Sequence, residues 1–287
     1  MTSHSKGVFI TILGVLLVVP DALFVRLIEA EPLVTAFWRG LIAGCIISAL
    51  VLFFQGWGAF LAVLRTGRIG LIYVLLLGTT NIGFVLAITW TGVANVVFIL
   101  AAMPIFATIF SRIFLGEPIR MRMVVTMAAV MGGLAIIAAG SHENDVASWQ
   151  GDLCALLVCA SYAGALTAVR CVKDVSMIPA IPFAYLGTAL ILGLISVPGP
   201  DFGPQWQLLL AHGAFIGAAS CLLTLGPRYI KSGEVSLLIL LESILAPLLI
   251  WLVVGENPGQ KALIGGVIVI SALVFYNIHA IRFSRER

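Results

Sequence analysis

The stretch Leu237–Trp251, LLILLESILAPLLIW, decides the fold. Thirteen of its fifteen residues are apolar or proline, and Glu242 and Ser243 stand at its centre. A helix at the surface of a soluble protein keeps one polar face; this stretch has none. The rest of the chain has the same character, with 61% hydrophobic and 10% charged residues and a mean hydropathy of +1.13. Soluble domains carry about 25% charged residues, so 287 residues of this composition cannot cover themselves with polar surface. The chain reads as a membrane protein, in which each crossing helix takes about 20 apolar residues.

Polar breaks divide the chain into ten apolar segments, at 7–26, 33–54, 69–89, 93–115, 121–140, 151–170, 179–198, 207–227, 233–254 and 260–281. Inside a bilayer the backbone must satisfy its own hydrogen bonds, and the two-residue alternation of a membrane barrel is absent. The expectation is therefore an all-α polytopic membrane protein of ten transmembrane helices. Basic residues set its orientation. With the N-terminus inside, Lys6, Arg65, Arg68, Arg120, Arg122, Arg170, Lys173, Arg228, Lys231, Arg282, Arg285 and Arg287 fall inside, and only Arg26 and Lys261 outside. Both termini are thus expected in the cytoplasm, and the chain in the cytoplasmic (inner) membrane.

Lys6 ahead of an apolar run also fits a secretory signal peptide, but the first segment has a partner later in the chain. At an offset of 144, Gly7, Leu13, Val25 and Arg26 match Gly151, Leu157, Val169 and Arg170. At an offset of 139, Val96, Ile105, Ala107, Gly116 and Glu117 match Val235, Ile244, Ala246, Gly255 and Glu256. Two five-helix halves, 1–141 and 142–287, follow. Five is odd, so the second half enters the membrane from the opposite side. Inverted repeats of this kind place a solute site near mid-membrane, at the interface of the halves.

The paired segments MPIFATIFSRIFLGEP (Met103–Pro118) and LLESILAPLLIWLVVGENP (Leu240–Pro258), with TAFWRGLIAG (Thr35–Gly44), resemble the drug/metabolite transporter superfamily in its EamA-type branch of ten-helix permeases. The resemblance covers essentially the whole chain. It implies a carrier of small organic metabolites, amino acids among them, with export as the expected direction. It departs from the family where a Glu-Pro pair is usual: here Glu242 is followed by Ser243, and the proline comes at Pro247.

Glu242 lies nine residues beyond Gly233, about 13 Å along a helix and near the middle of a core about 30 Å thick. Facing lipid there, an ionised carboxylate costs at least about 2.5–3.5 kcal/mol. It is expected to face a polar cavity as a proton- or amine-binding group, the bland alternative being a structural interhelical hydrogen bond. Asp21 and Arg39 share a depth and form a candidate ion pair, structural before substrate-contacting. Arg112 is expected to snorkel. Pro20, Pro104 and Pro247 are expected to break or bend their helices, and Pro182 to act similarly.

Asn81, Asn95, Tyr162 and Ser243 are candidate path-lining residues beside Glu242, with Ser220 and Thr224 behind them; each also fits a structural hydrogen bond. The aromatics Trp38, Phe84, Trp90, Phe98 and Tyr162 read first as packing and interfacial anchors. Gly132-Gly133 and Gly265-Gly266 read as close-packing surfaces, and Glu117 and Glu256 as caps ending their helices. The five cysteines (Cys45, Cys154, Cys159, Cys171, Cys221) read as small buried hydrophobes without metal or redox work.

No G-x-x-x-x-G-K-[ST] run is present, so no ATP-driven pump is expected. An intramembrane enzyme lacks H-E-x-x-H and G-x-S-x-G; His212 alone is well placed to be embedded, and no acid adjoins it in sequence. No cofactor, metal or nucleic-acid partner is expected. The partners are a small solute, the lipid bilayer and a coupling proton, for a monomer or weak homodimer. A structural or scramblase-like membrane protein is the alternative.

Overall fold

The structure, a computed structural model, describes residues 3–116, 121–140, 148–172, 175–195, 203–225, 229 and 232–285. Among them all regular structure is helical. The helices are α1 (Ser3–Val18), α2 (Asp21–Leu27), α3 (Pro32–Phe54), α4 (Gly58–Leu64), α5 (Arg68–Trp90), α6 (Val93–Leu100), α7 (Met103–Leu115), α8 (Met121–Ala139), α9 (Trp149–Cys171), α10 (Ile181–Ile195), α11 (Trp206–Leu225), α12 (Ser232–Val254) and α13 (Gln260–Arg285). Among the described residues seven spans are long and apolar enough to cross a membrane: Ser5–Leu27, Pro32–Phe54, Arg68–Trp90, Val93–Leu115, Trp149–Cys171, Ile178–Ile195 and Trp206–Leu225. The fifth, ninth and tenth sequence segments fall on α8, α12 and α13, whose apolar windows are the shorter Val124–Ile137, Leu241–Val254 and Gln260–Ala272.

Local chemistry explains the interruptions. Pro20 has no amide hydrogen to continue α1, so α1 stops at Val18 and α2 restarts at Asp21, with the Phe24 amide donating to the Pro20 carbonyl at 2.9 Å. Between α6 and α7 the chain tightens at Ala101 and Ala102, where the Ala102 amide reaches only to Ile99. Pro104 stands in the first turn of α7, a position that costs it no helical hydrogen bond. Pro182 holds the same place in α10. Pro247, expected to interrupt its span, instead lies inside α12, which runs unbroken from Ser232 to Val254. The repeated glycine of the Gly-Glu pairs has a backbone reason. Gly116 and Gly255 close α7 and α12 at φ of 69° and 78°, the left-handed turn that caps a helix most cheaply with glycine.

The main packing pairs join the first part of the chain to the second: α5 with α9, α8 with α13, α3 with α10 and α11, α1 with α11, α7 with α9, and α6 with α12. Exchanging the repeats maps these pairs onto one another. The first span against α11 corresponds to α9 against α5, and α11 on α3 corresponds to α10 on α5. Glycines set the closest approach. A Cβ at Gly133 would lie 2.9 Å from the Gly265 carbonyl oxygen, and one at Gly265 would lie 2.6 Å from that of Gly133. Gly266 is filled by the Phe98 ring, whereas Gly132 faces open space and packs on nothing.

The surface is apolar and the polar side chains are inside. Phe53, Phe54, Leu194, Ile195 and Leu252 are exposed, while Asp21, Arg39, Asn81, Asp152 and His212 are buried. Of the cysteines only Cys159 is fully buried; Cys45 and Cys171 are exposed. The connection after α3 is not plain loop. It holds α4, bracketed by Gly56 and Gly67 at positive φ and presenting Trp57, Leu61 and Leu64 outward.

Candidate functional site

The break at Pro20 puts Asp21 at the first position of α2 and turns its carboxylate into the bundle. Arg39 of α3 meets it with two parallel bonds, Nη2 to Oδ2 at 2.7 Å and Nε to Oδ1 at 3.1 Å. This bidentate geometry is the strong form of an arginine–carboxylate pair. The third guanidinium nitrogen, Nη1, donates to Asn81 Oδ1 at 2.5 Å, and the cation lies over the Phe84 ring at 5.5 Å. The Asn81 amide passes the network on to Thr188 Oγ1 at 3.0 Å, and Thr188 donates to the Tyr185 carbonyl.

On the other side of Asp21, His212 Nε2 lies 2.5 Å from Oδ1. Its ring is wholly buried and stacks on Phe24 at 5.5 Å. Among the described residues its Nδ1 has no hydrogen-bond partner, so Nε2 is the nitrogen that donates to Asp21. Arg39 lies seven residues into α3, and Asn81 nine residues from the end of α5. The network therefore sits about 10–13 Å below that end of the bundle.

Glu242 lies deeper. It is twelve residues from the Val254 end of α12, about 18 Å, and its side chain is half-buried. Asp21 and Tyr162 lie within its electrostatic range. Tyr73, Tyr162 and Tyr185 lie within that range of one another, with Cys221 close to Tyr73 and Tyr185. The Tyr185 and Ser220 hydroxyls share a hydrogen bond of 3.1 Å, and Thr224 donates to the Ser220 carbonyl. Ser243, next to Glu242, donates to the Val97 carbonyl of α6 at 3.2 Å. Among the described residues nothing hydrogen-bonds or pairs with the Glu242 carboxylate.

A second polar cluster closes one end of the bundle around the turn Trp90-Thr91-Gly92. Thr91 Oγ1 donates to Asp152 Oδ1 at 2.8 Å, and Asn95 Nδ2 lies 3.1 Å from the same oxygen. Ser148 donates its hydroxyl to the Trp90 carbonyl and caps α9 by accepting from the Gly151 amide at 3.2 Å. Arg26 pairs with Glu256 at 2.9 Å.

The structure thus joins Asp21, Arg39 and Asn81 in one network and leaves Glu242 outside it, with Tyr162 within electrostatic range. Ser243 is turned to a backbone carbonyl. Asn95 is drawn out of the centre into the end cluster. Arg112 reaches the Gly116 carbonyl at the exposed end of α7. Glu256 does not cap its own helix; it reaches across to Arg26 and the Val93 amide. Glu117 lies outside the described residues. Sequence reasoning missed His212, Thr188, Tyr73, Tyr185 and Asp152. His212 was set aside for want of a neighbouring acid, and that acid stands 191 residues earlier in the chain. An ionisable side chain in an apolar segment was the available signal, and His212 and Asp152 both carried it.

A family model described as the EamA-like transporter family matches the chain twice, over residues 5–139 and 149–278. Among curated proteins no match is found. One solved chain, described only as a crystal structure of a protein, is similar with a TM-score of 0.68 at 17% identity, covering 98% of this chain and 99% of that one. At that identity the likeness speaks for the fold alone.

Proposed function

The chain belongs to the EamA-like transporter family, a family of membrane transporters of small solutes, and on that premise we propose that it is a secondary transporter whose central carboxylate, Glu242, takes either a proton or the ammonium group of a small organic metabolite. A count of charge supports this reading. Asp21 is balanced by Arg39 and further held by His212, whereas no cation among the described residues balances Glu242. An anion at this depth needs a positive partner. A proton supplies one when the site is empty, and an amino acid or related amine supplies one when it is filled. Tyr162, within electrostatic range of the carboxylate, offers a ring face and a hydroxyl to a bound ammonium group.

In this reading ten helices form two inverted halves, 1–141 and 142–287, with both termini in the cytoplasm and the chain in the inner membrane. The packing pairs that exchange between the repeats support such a two-fold relation. The halves rock to expose the site to one side at a time, in a monomer or weak homodimer, with export as the working direction.

The test is thermal stability of the purified protein against a panel of amino acids, amines, nucleosides and organic acids, beside Glu242→Gln. A ligand at about 100 times its dissociation constant adds about 2.7 kcal/mol. Stabilisation by amines that is lost in Glu242→Gln supports the reading. Stabilisation that survives unchanged in Glu242→Gln overturns the assignment of this carboxylate.

A further inference from the structure

The end cluster crosses between the repeats through Glu256, which meets both Arg26 and Val93 of the first half. Arg26, at the end of α2, donates Nη2 to the Thr91 carbonyl at 2.8 Å and pairs its charge with Glu256, whose Oε2 lies 2.9 Å from an Nε that makes no aligned hydrogen bond. The other oxygen of Glu256 accepts the Val93 amide at 2.8 Å. Val93 is the first residue of α6, where amides lack helical partners and a negative charge is favoured. One glutamate beyond α12 thus neutralises the end of the first span and caps the start of α6. Arg26 and Glu256 side chains are each only 15% exposed, and Thr91 is wholly buried beneath them.

We propose that Arg26, Glu256 and the Trp90–Val93 turn form the gate latch of this end of the transporter, and that the structure shows it shut. The proposal rests on the alternating-access reading. It adds which residues hold one side closed. Opening this end separates the α12–α13 connection from the α5–α6 turn. That breaks the ion pair and uncaps α6 together, so one movement removes both contacts. The Asp21–Arg39 network lies a few turns below and is shielded from that side while the latch holds.

The test uses the full chain, freed of its five cysteines and carrying one reporter at the half-buried Tyr162, Tyr162→Cys, in oriented proteoliposomes. A membrane-impermeant maleimide is added from the Arg26 side and then from the opposite side. Glu256→Ala and Arg26→Ala are expected to raise the Arg26-side labelling rate about tenfold, the effect of about 1.4 kcal/mol. Glu256→Gln keeps an acceptor for Val93 but loses the charge, and gives a smaller rise; it also serves if the alanine variants fail to fold. Faster Arg26-side labelling with slower labelling from the opposite side supports both the latch and alternation. Faster labelling from the Arg26 side with no change opposite supports the latch and removes the alternating reading. Unchanged rates in all folded variants overturn the latch.

Discussion

Asp21→Asn is the sharpest perturbation of the buried network. The replacement keeps size and shape but removes the negative charge that faces Arg39, a residue only 5% exposed. The guanidinium keeps Asn81 and one amide oxygen at position 21 as acceptors, but it loses its counter-charge and the bidentate pair. Breaking a buried pair from one side costs about 3–5 kcal/mol, because the orphaned charge stays in low dielectric. For a chain of this size each kcal/mol lowers the melting temperature by about 2 °C, so a fall of about 6–10 °C is expected. Fluorescence-monitored melting in detergent measures it. The decisive comparison is Asp21→Asn with Arg39→Met, which removes the buried charge altogether. The double variant should recover about half the loss or more, since replacing both members of a buried pair is far less costly than removing one. A single variant that melts within about 2 °C of the parent would refute this account. So would a double variant whose losses simply add, because the two groups would then not be coupled.

Four further variants test the packing and the site. Gly265→Ala places a Cβ 2.6 Å from the Gly133 carbonyl oxygen and is expected to cost about 1–3 kcal/mol in melting experiments. Gly132→Ala, where nothing lies within 4 Å, should stay within about 0.5 kcal/mol of the parent. Ser243→Ala removes one interhelical bond to Val97 and should cost only about 0.6 kcal/mol, with ligand stabilisation intact; loss of that stabilisation would place the hydroxyl on the solute. His212→Phe keeps a flat ring against Phe24 but leaves Asp21 with Arg39 alone, and a loss of about 1.5–3 kcal/mol is expected for a bond to a charged group. A parent-like melting curve would show that the histidine contributes nothing to holding α11 against α2.

Much of the architecture can be read along the chain because a bilayer imposes a one-dimensional rule. Each crossing segment must be apolar and must bond its own backbone, so composition alone marks where helices run. Pro20 and the Gly-Glu ends were equally legible, since a missing amide hydrogen and a left-handed cap act on their own neighbours. Asp21, Arg39 and Glu242 stood out as charges in oil. Their partners were a different matter. These helices are apolar on nearly every side, so no amphipathic stripe says which face turns inward. Matching depth suggested Arg39 for Asp21, but depth says nothing of azimuth. Only the packing of α11 on α2 and α3 brings His212 to Asp21, and only the crossing of the α12–α13 connection over α6 brings Glu256 to Arg26 and Val93. The same packing draws Asn95 to Asp152, leaves Pro247 inside a continuous α12 and leaves Glu242 without a cation among the described residues. Composition along the chain marks which segments are apolar enough for a membrane and which side chains are out of place there. Tertiary structure decided which of those charges are balanced, because a partner in a neighbouring helix is set by side-chain packing in three dimensions and carries no mark of its own in the sequence.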